Sequence, residues 1–139
     1  MLLLKSELIP LRSEADIVSV RQIVRKWAIA QSFNLIDQTK IVTATSELAR
    51  NTVIHAGGGT VKIEALEEGP RKCVRLTFED QGPGIPDIEL ALRDGYTTGR
   101  GLGLGLGGSK RLCNEFEIQS EVGKGTRITV ARWHSVRTA

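Results

Sequence analysis

The sequence predicts an α+β fold, a two-layer sandwich in which helices gather on one face of a mixed, mostly antiparallel sheet. Three observations predict it. Segments with the alternating period of strands and segments with helical period follow in the order βααββ, then a loop-rich stretch, then αββ. Neighbouring strands are joined by short turn chemistry, "EEGPR" and "GKGT". The 139 residues suffice to bury one core without metal or disulfide, so 1–139 reads as a single domain.

Each element follows from local pattern. "MLLLKSELIPL" reads as a first strand, because Lys5 and Glu7 interrupt the apolar run before any cleavage-like site of a signal peptide. "SEADIVSVRQIVRKWAIAQS" sets Ile17, Val20, Val24, Trp27 and Ala28 at helical spacing, with Ser13 placed as N-cap. A second helix spans 35–56, carries Ile41, Thr45 and Leu48 on its apolar face and ends at "GGG". Glu47 and Asn51, four apart, share another face with Arg50 beside them; taken alone, such a pair is an ordinary solvated surface. Two alternating runs follow, with Val61, Ile63 and Ala65 on one face and then Val74, Leu76 and Phe78, which read as a hairpin. "DQGPGIPD" is a loop, "DIELALRDG" a short helical stretch and "GGSKRLCNE" a third helix, before the strands "FEIQSEV" and "TRITVARW" close the chain.

Composition removes several function classes. Apolar content of 40% and charged content of 25% are those of a soluble globular protein, and no run approaches a membrane span. The net charge of +3, from 19 basic and 16 acidic residues, is scattered rather than gathered into a stripe, so neither nucleic acid nor membrane is an expected partner. Cys73 and Cys113 lack metal-ligand spacing and read as reduced thiols of a cytoplasmic protein. His55 reads as a helix-end residue, His134 as tail, and Trp27 and Trp133 as packing.

The glycine run "GRGLGLGLGG", 99–108, demands a reason, since ordered glycine costs conformational entropy. Gly103, Gly105 and Gly108 satisfy G-x-G-x-x-G, but no buried strand directly precedes them. Neither Lys110 nor Lys124 has P-loop spacing, and a flexible linker would leave Leu102, Leu104 and Leu106 wet. Two readings stay open for this stretch: a plain connector, or a lid that presents backbone N–H groups to phosphate at the N-terminus of the third helix. The rest of the chain offers what a bound nucleotide requires. Asp80, at the end of an apolar strand, can accept from an exocyclic amine, and Gly82 and Gly84 leave room for a flat ring. Asn51 offers a neutral oxygen to Mg²⁺, and Glu47 a base for an attacking hydroxyl.

The set "SELARN", "DQGPGIPD", "TTGRGLGLGLGG" and "GKGT", in that order, resembles the N, G1, G2 and G3 boxes of the GHKL superfamily with its Bergerat ATP-binding fold. Within it, "ELARN…DQGPGIPD" most resembles the small serine-protein kinases of bacterial partner-switching modules, the RsbT type first and the anti-sigma kinases of the RsbW and SpoIIAB type next. The resemblance implies ATP and Mg²⁺ as cofactors, with Asn51 on the metal, Glu47 as general base and Asp80 on the adenine amino group. It further implies that Gly82 and Gly84 shape the base pocket, Gly101, Gly103 and Gly105 wrap the phosphates, and Thr126 supports the adenine end. Arg50 would reach a phosphate or a partner; Thr98 would touch phosphate or simply start the loop. No long lid with a phenylalanine box lies between Asp87 and Gly99, which argues for a compact kinase over a two-component sensor. The implied function is an ATP-dependent serine/threonine kinase of a stress-signalling module. It would phosphorylate a STAS-domain antagonist and bind a PP2C-type phosphatase or, alternatively, a sigma factor.

Overall fold

The computed structural model describes residues 1–93 and 105–135. The chain begins with strand β1 (Leu2–Leu11), followed by helices α1 (Glu14–Ala30) and α2 (Leu35–Arg50). A π-helical turn, Asn51–His55, extends α2, and the hairpin β2 (Gly59–Glu68) and β3 (Arg71–Asp80) comes next. A single helical turn α3 (Ile88–Ala91), helix α4 (Gly105–Leu112) and the hairpin β4 (Glu115–Glu121) and β5 (Gly125–Trp133) complete it.

The five strands lie in the order β1-β2-β3-β5-β4, and every pairing among them is antiparallel. This corrects the expectation of a mixed sheet. Between β1 and β2 the chain runs through two helices, so it reverses twice more and returns antiparallel to its starting strand.

The α1 residues expected inside, Ile17, Val20, Val24, Trp27 and Ala28, are the buried ones. They join Ile41 and Leu48 of α2 and the alternate strand residues Val61, Ile63, Val74, Leu76, Phe78, Ile128 and Val130 in one core, which places the helices on one face of the sheet. On the opposite face Leu66, Cys73, Ala131 and Trp133 form a smaller cluster, with the Arg71 guanidinium 4.4 Å above the Trp133 ring. Burial pushes both thiols, Cys73 and Cys113, up to about 12. Buried thiols of this kind stay protonated and inert at neutral pH.

Helix ends depart from expectation in one place. Ser13 holds the N-cap position of α1 but makes no side-chain cap bond. Instead the Arg12 backbone N–H donates to Asp16 Oδ2 at 2.8 Å. Helix α2 is capped by Asn34, whose Oδ1 accepts from the Asp37 N–H at 2.8 Å.

Candidate functional site

Helix α2 lies between α1 and α4, so its faces meet helices on both sides and the sheet below. That placement decides the fate of Glu47. The residue is only 4% exposed, and what remains exposed opens on a cavity that it lines. A carboxylate set in the wall of a largely apolar cavity is one of the few polar groups that can orient a ligand there. Four residues on, the α-helix gives way to the π turn at Asn51, whose N–H is shared between the Glu47 and Leu48 carbonyls. Such one-turn π segments often occur at functional positions. The Thr52 hydroxyl donates to the Leu48 carbonyl and the Gly58 N–H to the Thr52 carbonyl, holding the wider turn and its exit into β2.

Glu47, Arg50 and Asn51 wall a cavity of about 440 Å³ whose other sides are the ends of β3 and β5, the loop after Asp80, and the start of α4. Its lining is largely apolar, with Phe78, Ile85, Leu90, Leu106 and Ile128, and its polar residues include Glu47, Asn51, Asp80 and Thr126. Size and lining are those of a small-molecule site. Asp80 and Thr126 are direct cross-strand partners. One Asp80 oxygen, Oδ1, accepts from the Gly82 N–H at 2.9 Å.

The loop from Gln81 to Asp87 is fastened to the β4–β5 turn. The Gly123 N–H donates to the Pro83 carbonyl at 2.9 Å, and the Ile85 N–H donates to Ser120 Oγ at 2.8 Å. Gly84 has a φ of +79°, and a Cβ there would stand 2.3 Å from the Glu121 carbonyl oxygen. Only glycine fits that closure. Gly82 packs against Ala56, with 2.7 Å from an added Cβ to the Ala56 methyl.

The fold thus brings Glu47, Arg50, Asn51, Asp80, Gly84, Gly105 and Thr126 to one cavity, with Gly82 packed behind it. Thr98, Gly101 and Gly103 lie outside the described residues. Arg50 is not poised alone at the mouth: its Nη1 lies 3.3 Å from Glu14 Oε1 in a solvent-facing ion pair. At the far wall, α4 begins at Gly105 and seats Leu106 in the core. Gly107 serves a different purpose from phosphate binding, since its added Cβ would meet the Leu92 carbonyl oxygen at 2.3 Å, so it lets α4 close on the end of α3.

Ile85, Leu90 and Ser120 escaped the sequence reading. Ser120 left a trace there, since it continues the alternating stripe of Phe116 and Ile118 as a polar residue on an otherwise apolar face. Ile85 and Leu90 lie in the loop and one-turn helix after Asp80, where no period is long enough to mark a face.

Residues 36–135 match the sequence model of the "Histidine kinase-, DNA gyrase B-, and HSP90-like ATPase" family. The chain belongs to this ATPase family. It is 46% identical over 121 residues to the serine/threonine-protein kinase RsbT of Bacillus subtilis, covering 87% of this chain and 91% of that one. Its enzyme class is accordingly that of a serine/threonine-protein kinase on an ATPase domain. An anti-sigma F factor of Geobacillus kaustophilus is 37% identical over 109 residues, 72% of this chain and 73% of the relative. The crystal structure of the RsbU and RsbW domains of a Mycobacterium tuberculosis protein superposes with a TM-score of 0.65 at 22% identity, covering 98% of this chain. The chain spans 35% of that longer protein, and the agreement is one of fold.

Proposed function

We propose that this ATPase-family kinase binds Mg²⁺ and ATP in the cavity between α2 and the loop after Asp80, and transfers phosphate to a serine or threonine of a STAS-domain antagonist in the cytoplasm. The observation that carries the reading is that Glu47, only 4% exposed, and Asn51, one helical turn on, line the same cavity as the cross-strand pair Asp80 and Thr126. Asp80 and Thr126 hold the adenine end. The Asn51 side-chain oxygen fits Mg²⁺, a hard cation that needs few protein ligands when phosphates and water supply the rest. When bound, Mg²⁺ supplies neutralisation of phosphate charge. Glu47 then orients the acceptor hydroxyl and takes its proton as oxygen bonds to the γ-phosphorus and ADP leaves with the former bridging oxygen. The transition state of phosphoryl transfer is loose, so positioning matters more than base strength. Arg50, in its exposed pair with Glu14, is placed to meet a phosphate or the acceptor protein at the mouth.

The kinship with both RsbT and anti-sigma F factors supports a partner-switching setting with two candidate protein partners, a PP2C-type phosphatase and a sigma factor. The higher identity and coverage of the kinase RsbT favour the phosphatase. Calorimetric titration of ATP with and without Mg²⁺ tests the pocket: binding should require Mg²⁺ and vanish in Asp80→Asn. Glu47→Ala should retain nucleotide and lose transfer to a purified STAS-domain protein by about a hundredfold or more. Normal transfer by Glu47→Ala would remove the base assignment, and recovery of a sigma factor in place of a phosphatase on the immobilised protein would reverse the choice of partner.

A further inference from the structure

The Ser120 hydroxyl has one proton and two lone pairs, and three groups compete for them. The Ile85 backbone N–H donates to Oγ at 2.8 Å. The Gly125 carbonyl oxygen lies at 3.2 Å, where it can only accept. The Thr126 hydroxyl lies at 2.8 Å, where either oxygen can donate. One arrangement satisfies all three contacts. Ser120 gives its proton to the Gly125 carbonyl, accepts from Ile85, and accepts again from Thr126.

The consequence falls on Thr126. With its proton committed to Ser120, its oxygen turns only lone pairs toward the cavity it lines. Asp80, directly across the strand pair, is a carboxylate and an acceptor too. We propose that Ser120 is a positioning residue that fixes the Thr126 hydroxyl as an acceptor, so that the Asp80–Thr126 end of the cavity selects a purine carrying an amino group over one carrying an oxo group at the same ring position. The inference rests on the nucleotide reading above and assigns the source of its base selectivity. A ring amino group brings two N–H donors to two acceptors. A ring oxo group sets a third acceptor against them and offers only the single N–H of the adjacent ring nitrogen, so at least one acceptor is left facing another, a mismatch that costs more than a missing contact.

ATP and inosine triphosphate differ at this ring position and in the proton of the adjacent ring nitrogen and share the ribose and triphosphate, so the ratio of their dissociation constants reads the base end alone, and its change in Ser120 variants reads the effect of that side chain. Both are titrated with Mg²⁺ into the wild-type chain, Ser120→Ala and Ser120→Thr. The wild type should prefer ATP. In Ser120→Ala the Thr126 proton is released to turn toward an oxo group, and the preference should fall about tenfold, the worth of roughly one good hydrogen bond. Ser120→Thr, which keeps the hydroxyl, should restore most of the preference. A purely structural Ser120 would weaken both nucleotides alike and leave the ratio unchanged, and that result overturns the proposal while leaving the nucleotide site intact. A folded wild type that binds neither nucleotide overturns the nucleotide reading and this inference with it. Should Ser120→Ala not fold, Ser120→Cys, similar in size but a weaker donor and acceptor, is judged by the same ratio.

Discussion

Glu47 and Gln31 show how burial changes the meaning of a polar residue. Both are 4% exposed. Glu47 lines the cavity, whereas Gln31 Nε2 donates to the Leu66 and Cys73 carbonyls, each at 2.9 Å, and pins the end of α1 to the β2–β3 hairpin. The first has the signature of a residue awaiting a ligand, the second of a structural bolt. Neither state was legible from spacing. Glu47 stood on what looked like a solvated face and acquired meaning only through the boxes around it. Gln31, just past the end of an amphipathic helix, offered no signal, because its two acceptors lie 35 and 42 residues away. Gln31→Leu keeps the bulk and deletes both donors, so urea unfolding should show a loss of about 1–3 kcal/mol. A change under about 0.5 kcal/mol, the usual range of a neutral surface substitution, would mean that water or backbone groups satisfy those carbonyls instead.

At the scale of elements, periodicity carried most of the information. Strands β2, β3 and β5 and the two long helices each present an apolar residue at every second position or every helical turn, and each appears where that pattern set it, whereas β1 does not alternate and is largely exposed. The π turn left no such mark, because widening a helix over five residues does not disturb a period that the neighbouring turns dominate. The glycine run divides in a way that composition did not indicate. Gly107 belongs to packing, and its substitution sets two effects against each other. Alanine in a helix interior is favoured over glycine by about 1 kcal/mol. An added Cβ 2.3 Å from the backbone oxygen of Leu92 must push α4 away from α3, a form of overpacking that costs about 1–3 kcal/mol. The clash should win, so Gly107→Ala should lower the urea midpoint. A raised midpoint would show that α4 has slack and that the close approach is not needed.

The order of strands belongs to the whole molecule, and it is the part least visible in sequence. The hairpins β2–β3 and β4–β5 follow from their turns, but the pairings of β1 with β2 and β3 with β5 depend on where helices return the chain. What closes the assembly is equally distant in sequence. Asp37, in the first turn of α2, accepts from Arg132 Nε at 3.0 Å and Nη2 at 2.6 Å, and from the Ser135 N–H and hydroxyl at 3.1 and 2.9 Å. Arg132 Nη1 also donates to the Leu112 carbonyl at 2.8 Å, so one ion pair ties the start of α2, the end of α4 and the last strand. The closing strand thus contributes a shielded cation, Arg132. Burial alone would raise the Asp37 pKa, but the hydrogen bonds from Arg132 and Ser135 outweigh it and hold the carboxyl below its ordinary 3.8. Because the folded state binds this proton less readily than the unfolded chain, the stabilisation is complete above that ordinary value and is lost as pH falls through the lower, folded one. Asp37→Asn should therefore cost about 3–5 kcal/mol at pH 7, since it leaves the Arg132 charge shielded and unpaired. The variant should also show a shallower acid limb than the wild type when urea midpoints are followed from pH 7 downward. Parallel acid limbs in the two proteins would locate the acid sensitivity in other carboxylates, whereas convergence at low pH is what a single staple at the junction of three elements requires.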